Sequence, residues 1–155
     1  MSFERGIRFG PDVSSKPSPQ VQPCYSWLDA LARADIDGMA ANMTEDYTQE
    51  MNPFDPTYPV LNTKKACTTF WTQLLTNFEM FLMTVYELKE TPGQVVMQAK
   101  SDARTKGGFK YDNGYTFTFS VAQQPDGSHK LTHTTEFFKA PEQILLLRRS
   151  LGEDV

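Results

Sequence analysis

Positive charge is in short supply in this chain. Its 155 residues carry 15 Lys and Arg against 19 Asp and Glu, a net charge of −4, with a pI near 5.1. That balance gives no electrostatic footprint for nucleic acid. The small basic cluster Lys100, Arg104, Lys106 and Lys110 reads instead as a solvated strand edge. Cysteine and histidine are scarce as well, at two each, and none of their spacings makes a zinc site, so no metal is expected. Cys24 and Cys67 are expected as buried free thiols. No apolar run approaches the roughly 18 residues of a membrane helix. The first twenty residues lack the apolar stretch of a signal peptide, so the expected compartment is cytoplasmic. Internal repeats, a glycine-rich phosphate loop and a nucleophile elbow are also missing. What is left is a single domain of ordinary composition, 39% hydrophobic and 22% charged, long enough for a sizeable core.

The richest stretch is Phe109 to Phe138, FKYDNGYTFTFSVAQQPDGSHKLTHTTEFF. Two alternating strands flank the turn Gln124-Pro125-Asp126-Gly127. In the first, Phe109, Tyr111, Asn113, Tyr115, Phe117, Phe119 and Val121 share one face, and Lys110, Asp112, Gly114, Thr116, Thr118 and Ser120 share the other. Two tyrosines and an asparagine interrupt the aromatic face. Buried Tyr hydroxyls need partners, so such a face suits a polar-studded cavity better than a dry core.

Residues 1–22 are rich in Ser, Pro and charge and read as an extended or disordered arm, although Phe3, Ile7 and Phe9 give it something to dock. Residues 23–155 read as one domain. Tyr25, Leu28, Leu31 and Ala32 mark a helix with Trp27 on its flank. Asp35 caps a second helix to Met43, Thr44–Asp46 ends it, and Tyr47 to Met51 is a short strand. Three prolines make Asn52 to Pro59 a loop. Asn62-Thr63 caps a third helix over Lys64 to Asn77. Strands follow over Glu79 to Glu90 and Gln94 to Lys106, then the hairpin, then a short helix behind Pro141. Helices set apart from an antiparallel sheet mean an α+β domain: a cone-shaped curved antiparallel sheet wrapped on three N-terminal helices, with a short C-terminal helix. The open end of such a cone is a natural ligand mouth.

This order of elements resembles the nuclear transport factor 2-like superfamily, and within it the SnoaL-like polyketide-cyclase branch. Four segments carry the likeness: WLDALARADIDGMAANMTEDY from Trp27 to Tyr47, the loop proline of Asn52-Pro53, YDNGYTFTF over residues 111–119, and PDGSHKLTHTTEFF over residues 125–138. The resemblance implies a pocket that works without metal or organic cofactor. It further implies dimerisation through the sheet, and isomerase, cyclase or dehydratase chemistry on terpenoid, polyketide or alkaloid intermediates. One departure matters. Steroid-isomerase-like members carry a proton-abstracting Asp directly before the loop proline, and here that position is Asn52.

The hairpin register decides which polar residue joins the tyrosines. A three-residue loop, carried on without interruption, puts His133 on the tyrosine face; one residue absorbed in a bulge puts Thr134 and Glu136 there. Turn chemistry points to His133 and the family pattern to Glu136, and Glu136 is preferred. The expected catalytic group is then Glu136, Tyr111 and Tyr115. A carboxyl in an apolar pocket exchanges protons near neutrality, and tyrosine hydroxyls hold a developing oxyanion. Asn113, Tyr47, Phe117, Thr134, Tyr58 and His133 are the expected substrate contacts. The expected ligand is a small hydrophobic molecule, with no nucleic-acid or membrane partner. A non-catalytic binding or dimerisation module is the other reading that this fold allows.

Overall fold

The computed structural model describes residues 4–155. A strand, β1 (Arg5–Phe9), precedes two helices, α1 (Gln22–Ala32) and α2 (Ile36–Ala41). Strand β2 (Met43–Asn52) leads to α3 (Lys64–Leu75). Four long strands follow, β3 (Phe78–Thr91), β4 (Gln94–Thr105), β5 (Lys110–Gln123) and β6 (His129–Phe138), and α4 (Pro141–Ser150) ends the chain. The α+β class and the meander from β3 to β6 are as the sequence implies.

The expected strand directions are corrected. The sheet is mixed, not antiparallel: its order is β1-β3-β4-β5-β6-β2, with β1 parallel to β3 and β2 parallel to β6. Each parallel pair is joined by a long stretch of chain, α1 through α3 with β2 between β1 and β3, and α3 through β5 between β2 and β6, which leaves room for the return that a parallel pair requires. Within the first 22 residues the chain is docked along the edge of the sheet. Arg5–Phe9 is a strand, and Arg5 fastens it by donating from Nε to the Ala32 carbonyl at 2.6 Å and from Nη1 to Phe78 O at 3.0 Å. Phe3 lies outside the described residues.

Local rules explain the helix starts. The Asp35 side chain accepts from Gly38 N–H, and Thr63 Oγ1 accepts from Ala66 N–H, each satisfying one orphan donor of a first turn. β2 is twice as long as its expected five residues because Thr44–Asp46 continue the strand instead of ending α2. Trp27, expected on a helix flank, is fully buried. It sits edge-on to Trp71, Phe117 and Phe119 at 6.1, 6.1 and 5.7 Å, so it is the hub joining α1, α3 and β5.

Cys24 and Cys67 are free and buried. Burial pushes the Cys67 thiol up to about 11 and that of Cys24 higher still, so neither supplies thiolate at neutral pH. Labelling by a thiol reagent should therefore be negligible in the folded protein and reach both sites in denaturant. Rapid native labelling would contradict this packing.

Candidate active site

The hairpin settles the register. Gln124 N donates to Ser128 O at 2.7 Å and Gly127 N to Gln124 O at 2.9 Å, a loop of three residues whose last, Gly127, holds φ +87°. Pairing then runs from Gln123↔His129 to Val121↔Leu131 and resumes at Ser120↔His133, so Thr132 is an extra residue in β6. That bulge re-aims the strand beyond it. Thr134, Glu136 and Phe138 turn inward opposite Phe119, Phe117 and Tyr115. His133 turns outward, where Nδ1 meets Thr48 Oγ1 at 2.7 Å and Nε2 meets Thr135 Oγ1 at 3.3 Å. Placing His133 among the substrate contacts is thus corrected, because the bulge sends it to the opposite face of the sheet.

The inner faces of β3, β5 and β6, with α1, α3, α4 and the proline loop, surround a cavity of about 500 Å³, within the usual range for small-molecule sites. Phe70, Phe78, Phe81, Met83, Phe138 and Leu147 are among its apolar walls. Glu136, Tyr111, Tyr115 and Tyr58 line it too. Phe117, Tyr47, Asn113 and Thr134 are buried but do not line it. Phe117 stacks under Tyr115 at 5.3 Å, Tyr47 and Thr134 belong to the core around it, and Asn113 acts on the wall through Tyr111.

A chain of hydroxyls runs along the tyrosine wall. Ser101 Oγ and Tyr115 OH are 2.9 Å apart, and Tyr115 OH lies 3.1 Å from Tyr111 OH. The backbone N–H of Asn113 donates to Ser101 Oγ, and its Nδ2 donates to Tyr111 OH at 3.1 Å. The Asn113 amide cannot be turned over, since its Oδ1 accepts from Gly114 N and Ala140 N. Three hydroxyl protons serve two hydroxyl-to-hydroxyl links, which leaves one proton over. Tyr115 OH donates to Tyr111 OH and Ser101 Oγ to Tyr115 OH, so the spare proton is that of Tyr111, which lines the cavity and offers a ligand oxygen a donor already held in place. Burial, and then the charge of Glu136, holds Tyr115 far above the ordinary tyrosine range. Burial does the same for Tyr111. Both hydroxyls stay neutral at pH 7, Tyr115 donating to Tyr111 and Tyr111 keeping its proton for a ligand.

Glu136 is 3% exposed, and burial raises its carboxyl from 4.5 to about 8. It is therefore mostly protonated at pH 7. Its Oε2 accepts from Gln49 Nε2 at 3.3 Å, and Gln49 Oε1 accepts from Trp71 Nε1 at 3.1 Å and from Tyr47 OH at 3.3 Å. Gln49 escaped the sequence reading, although period-two alternation through Tyr47, Gln49 and Met51 carried the signal. Arg148 escaped it too. From α4 it donates to Thr57 Oγ1 at 2.6 Å and to the Thr57 carbonyl at 3.3 Å, pairs with Glu153 at 3.1 Å and covers the Tyr58 ring at 5.5 Å. It thus fastens α4 to the proline loop at the rim. Among the described residues, no set of three His, Cys, Asp or Glu side chains stands together as metal ligands. No described helix is long and apolar enough to cross a membrane.

The SnoaL-like domain profile matches residues 25–128. No curated protein sequence matches the chain. Among solved structures, PrhC from Penicillium brasilianum superposes with a TM-score of 0.71 at 14% identity, over 86% of this chain and 88% of that one. The BvnE pinacolase from Penicillium brevicompactum gives 0.70 at 18% identity, over 93% and 100%. RV0760c from Mycobacterium tuberculosis, in complex with estradiol-17beta-hemisuccinate, gives 0.64 at 20% identity, over 77% and 93%. At these identities the likeness establishes the fold.

Proposed function

This chain belongs to the SnoaL-like domain family, and from that premise we propose that it is a cofactor-independent isomerase or cyclase. Its substrate is an apolar oxygenated metabolite of terpenoid, polyketide or alkaloid type, and Glu136 is the general acid. The observation that carries this reading is a protonated carboxyl buried in the wall of a cavity of about 500 Å³ beside a neutral tyrosine donor, Tyr111, that Tyr115 holds in place. Glu136 donates its proton to a carbonyl or epoxide oxygen, and Tyr111, held by Tyr115, stabilises the charge that develops. The carboxylate left behind then takes a proton from the rearranged skeleton. The acid is restored and nothing is consumed, which fits isomerisation or ring closure. Tyr58 is a substrate contact at the rim, and Asn113 orients the tyrosines rather than the substrate. BvnE, a pinacolase, and RV0760c, in complex with estradiol-17beta-hemisuccinate, share the fold, and the second supports a largely apolar ligand.

The test is a pH–rate profile on a panel of apolar ketones and epoxides. With Glu136 as the acid, kcat/KM is level below about pH 8 and falls about tenfold per unit above it. A profile flat through that region removes Glu136 as the acid, and tight binding without conversion supports the binding-module reading instead. The reading also keeps a homodimer paired through the outer face of the sheet, where Phe137 is 44% exposed. Sedimentation should then give twice the chain mass, and a monomer would remove that part.

A further inference from the structure

We propose that Gln49 is a positioning residue for Glu136: locked by Trp71 and Tyr47, its amide N–H holds Oε2, so the acidic proton resides on Oε1 and points into the cavity. The inference rests on the acid role given to Glu136 above, but its test reads the carboxyl directly.

Three steps carry it. An indole N–H can only donate, so the Gln49 atom 3.1 Å from Trp71 Nε1 is the amide oxygen, and Tyr47 OH donates to that same oxygen. The amide is therefore fixed, and the atom 3.3 Å from Glu136 Oε2 is its NH₂ group. A neutral carboxyl has one carbonyl and one hydroxyl oxygen. The oxygen that receives an N–H is the carbonyl, which makes Oε1 the hydroxyl. Oε1 has no hydrogen-bond partner among the described residues, while Glu136 lines the cavity and Gln49 stands behind it. A buried acid without such a clamp would exchange its proton between two oxygens and two rotamers. Here one arrangement is selected before any ligand arrives, the kind of preorganisation that catalysis requires of a proton donor.

Other groups share this environment. Tyr47 faces Glu136 from β2, Tyr111 and Tyr115 from β5, and Tyr58 from the proline loop, and burial raises all four. Arg148 and Glu153 line the same cavity and neutralise each other at 3.1 Å. Across neutral pH the tyrosines keep their protons, so a carboxyl band titrating in that range belongs to Glu136.

The experiment is infrared difference spectroscopy of the ligand-free protein across pH, with E136Q spectra subtracted to isolate the Glu136 carboxyl. Wild type should show one protonated-carboxyl band that disappears with a midpoint near 8. Gln49→Leu removes the donor to Oε2, which favours the charged form. The midpoint should then rise by roughly one unit, a tenfold change in proton affinity, and the band should shift as its carbonyl is released. Trp71→Phe frees the amide to turn and should move both in the same direction by less. That variant keeps an aromatic ring against Phe70 and Trp27, so it gives the answer even where Gln49→Leu leaves too much unpaired to fold. A band and midpoint identical to wild type in the folded variants overturn the proposal. The two readings fail separately. A band that responds to Gln49 beside an E136Q enzyme of undiminished turnover keeps the clamp and discards the acid role. Loss of turnover in E136Q with a band indifferent to Gln49 and Trp71 does the reverse.

Discussion

Glu136→Gln is expected to lower turnover by about 10²–10⁴-fold, the usual contribution of a positioned acid or base, and to make the protein more stable at neutral pH. The two effects share one cause. The folded protein holds the Glu136 proton to about pH 8, whereas the ordinary value is 4.5. Below 4.5 both states are protonated and the group makes no difference. Between 4.5 and about 8 the unfolded chain sheds a proton that the folded chain must keep, so wild-type stability falls as pH rises through that window and levels off above it. At pH 7 the cost is on the order of 3 kcal/mol. The amide variant has no such dependence, and its oxygen can still accept from Gln49. Thermal unfolding should show wild type and variant alike near pH 4, with the variant gaining steadily to pH 8. An unchanged rate removes Glu136 from the chemistry, and parallel Tm profiles would mean the carboxyl is not held protonated.

Trp27→Ala should be the most damaging single change in the core, at about 3–5 kcal/mol. That is a large share of the 5–15 kcal/mol typical of a whole domain, and corresponds to a fall in Tm of roughly 6–20 °C. The side chain is fully buried and touches rings on α3 and β5. Truncation would open a void beside Phe117, on which Tyr115 is stacked, so the damage should reach the cavity wall. Trp27→Phe is the control. The indole N–H has no partner among the described residues, so losing it forfeits no hydrogen bond and relieves a desolvation cost. Chemical denaturation should rank alanine far below phenylalanine. Similar losses for the two would place the importance of Trp27 in its N–H, contrary to its packing.

Features with a strict period were legible in the sequence, and features made by distant pairing were not. The tyrosine face of β5 follows from alternation alone, since every odd position from Tyr111 to Val121 is buried. The companion of that face depended on Thr132, an unpaired residue that no turn rule supplies. It lies where β6 pairs with β5 on one edge and β2 on the other, and both ladders shift register beside it. Arg5–Phe9 carries two arginines and a glycine, a poor strand by propensity, and becomes one only against β3. Arg148 looks like an ordinary cation in the last turn of a helix. Its place at the rim follows from where α4 packs, which a helical period does not encode.

Asn113 gives the domain a mechanical property as well. One amide group both receives the Ala140 N–H and donates to the Ala140 carbonyl, immediately before α4, and with the same nitrogen it holds the Tyr111 hydroxyl. The start of α4 and the Tyr111 hydroxyl therefore share one anchor. Replacing Asn113 would loosen both at once, so the cavity wall and the helix that borders it are set by a single side chain.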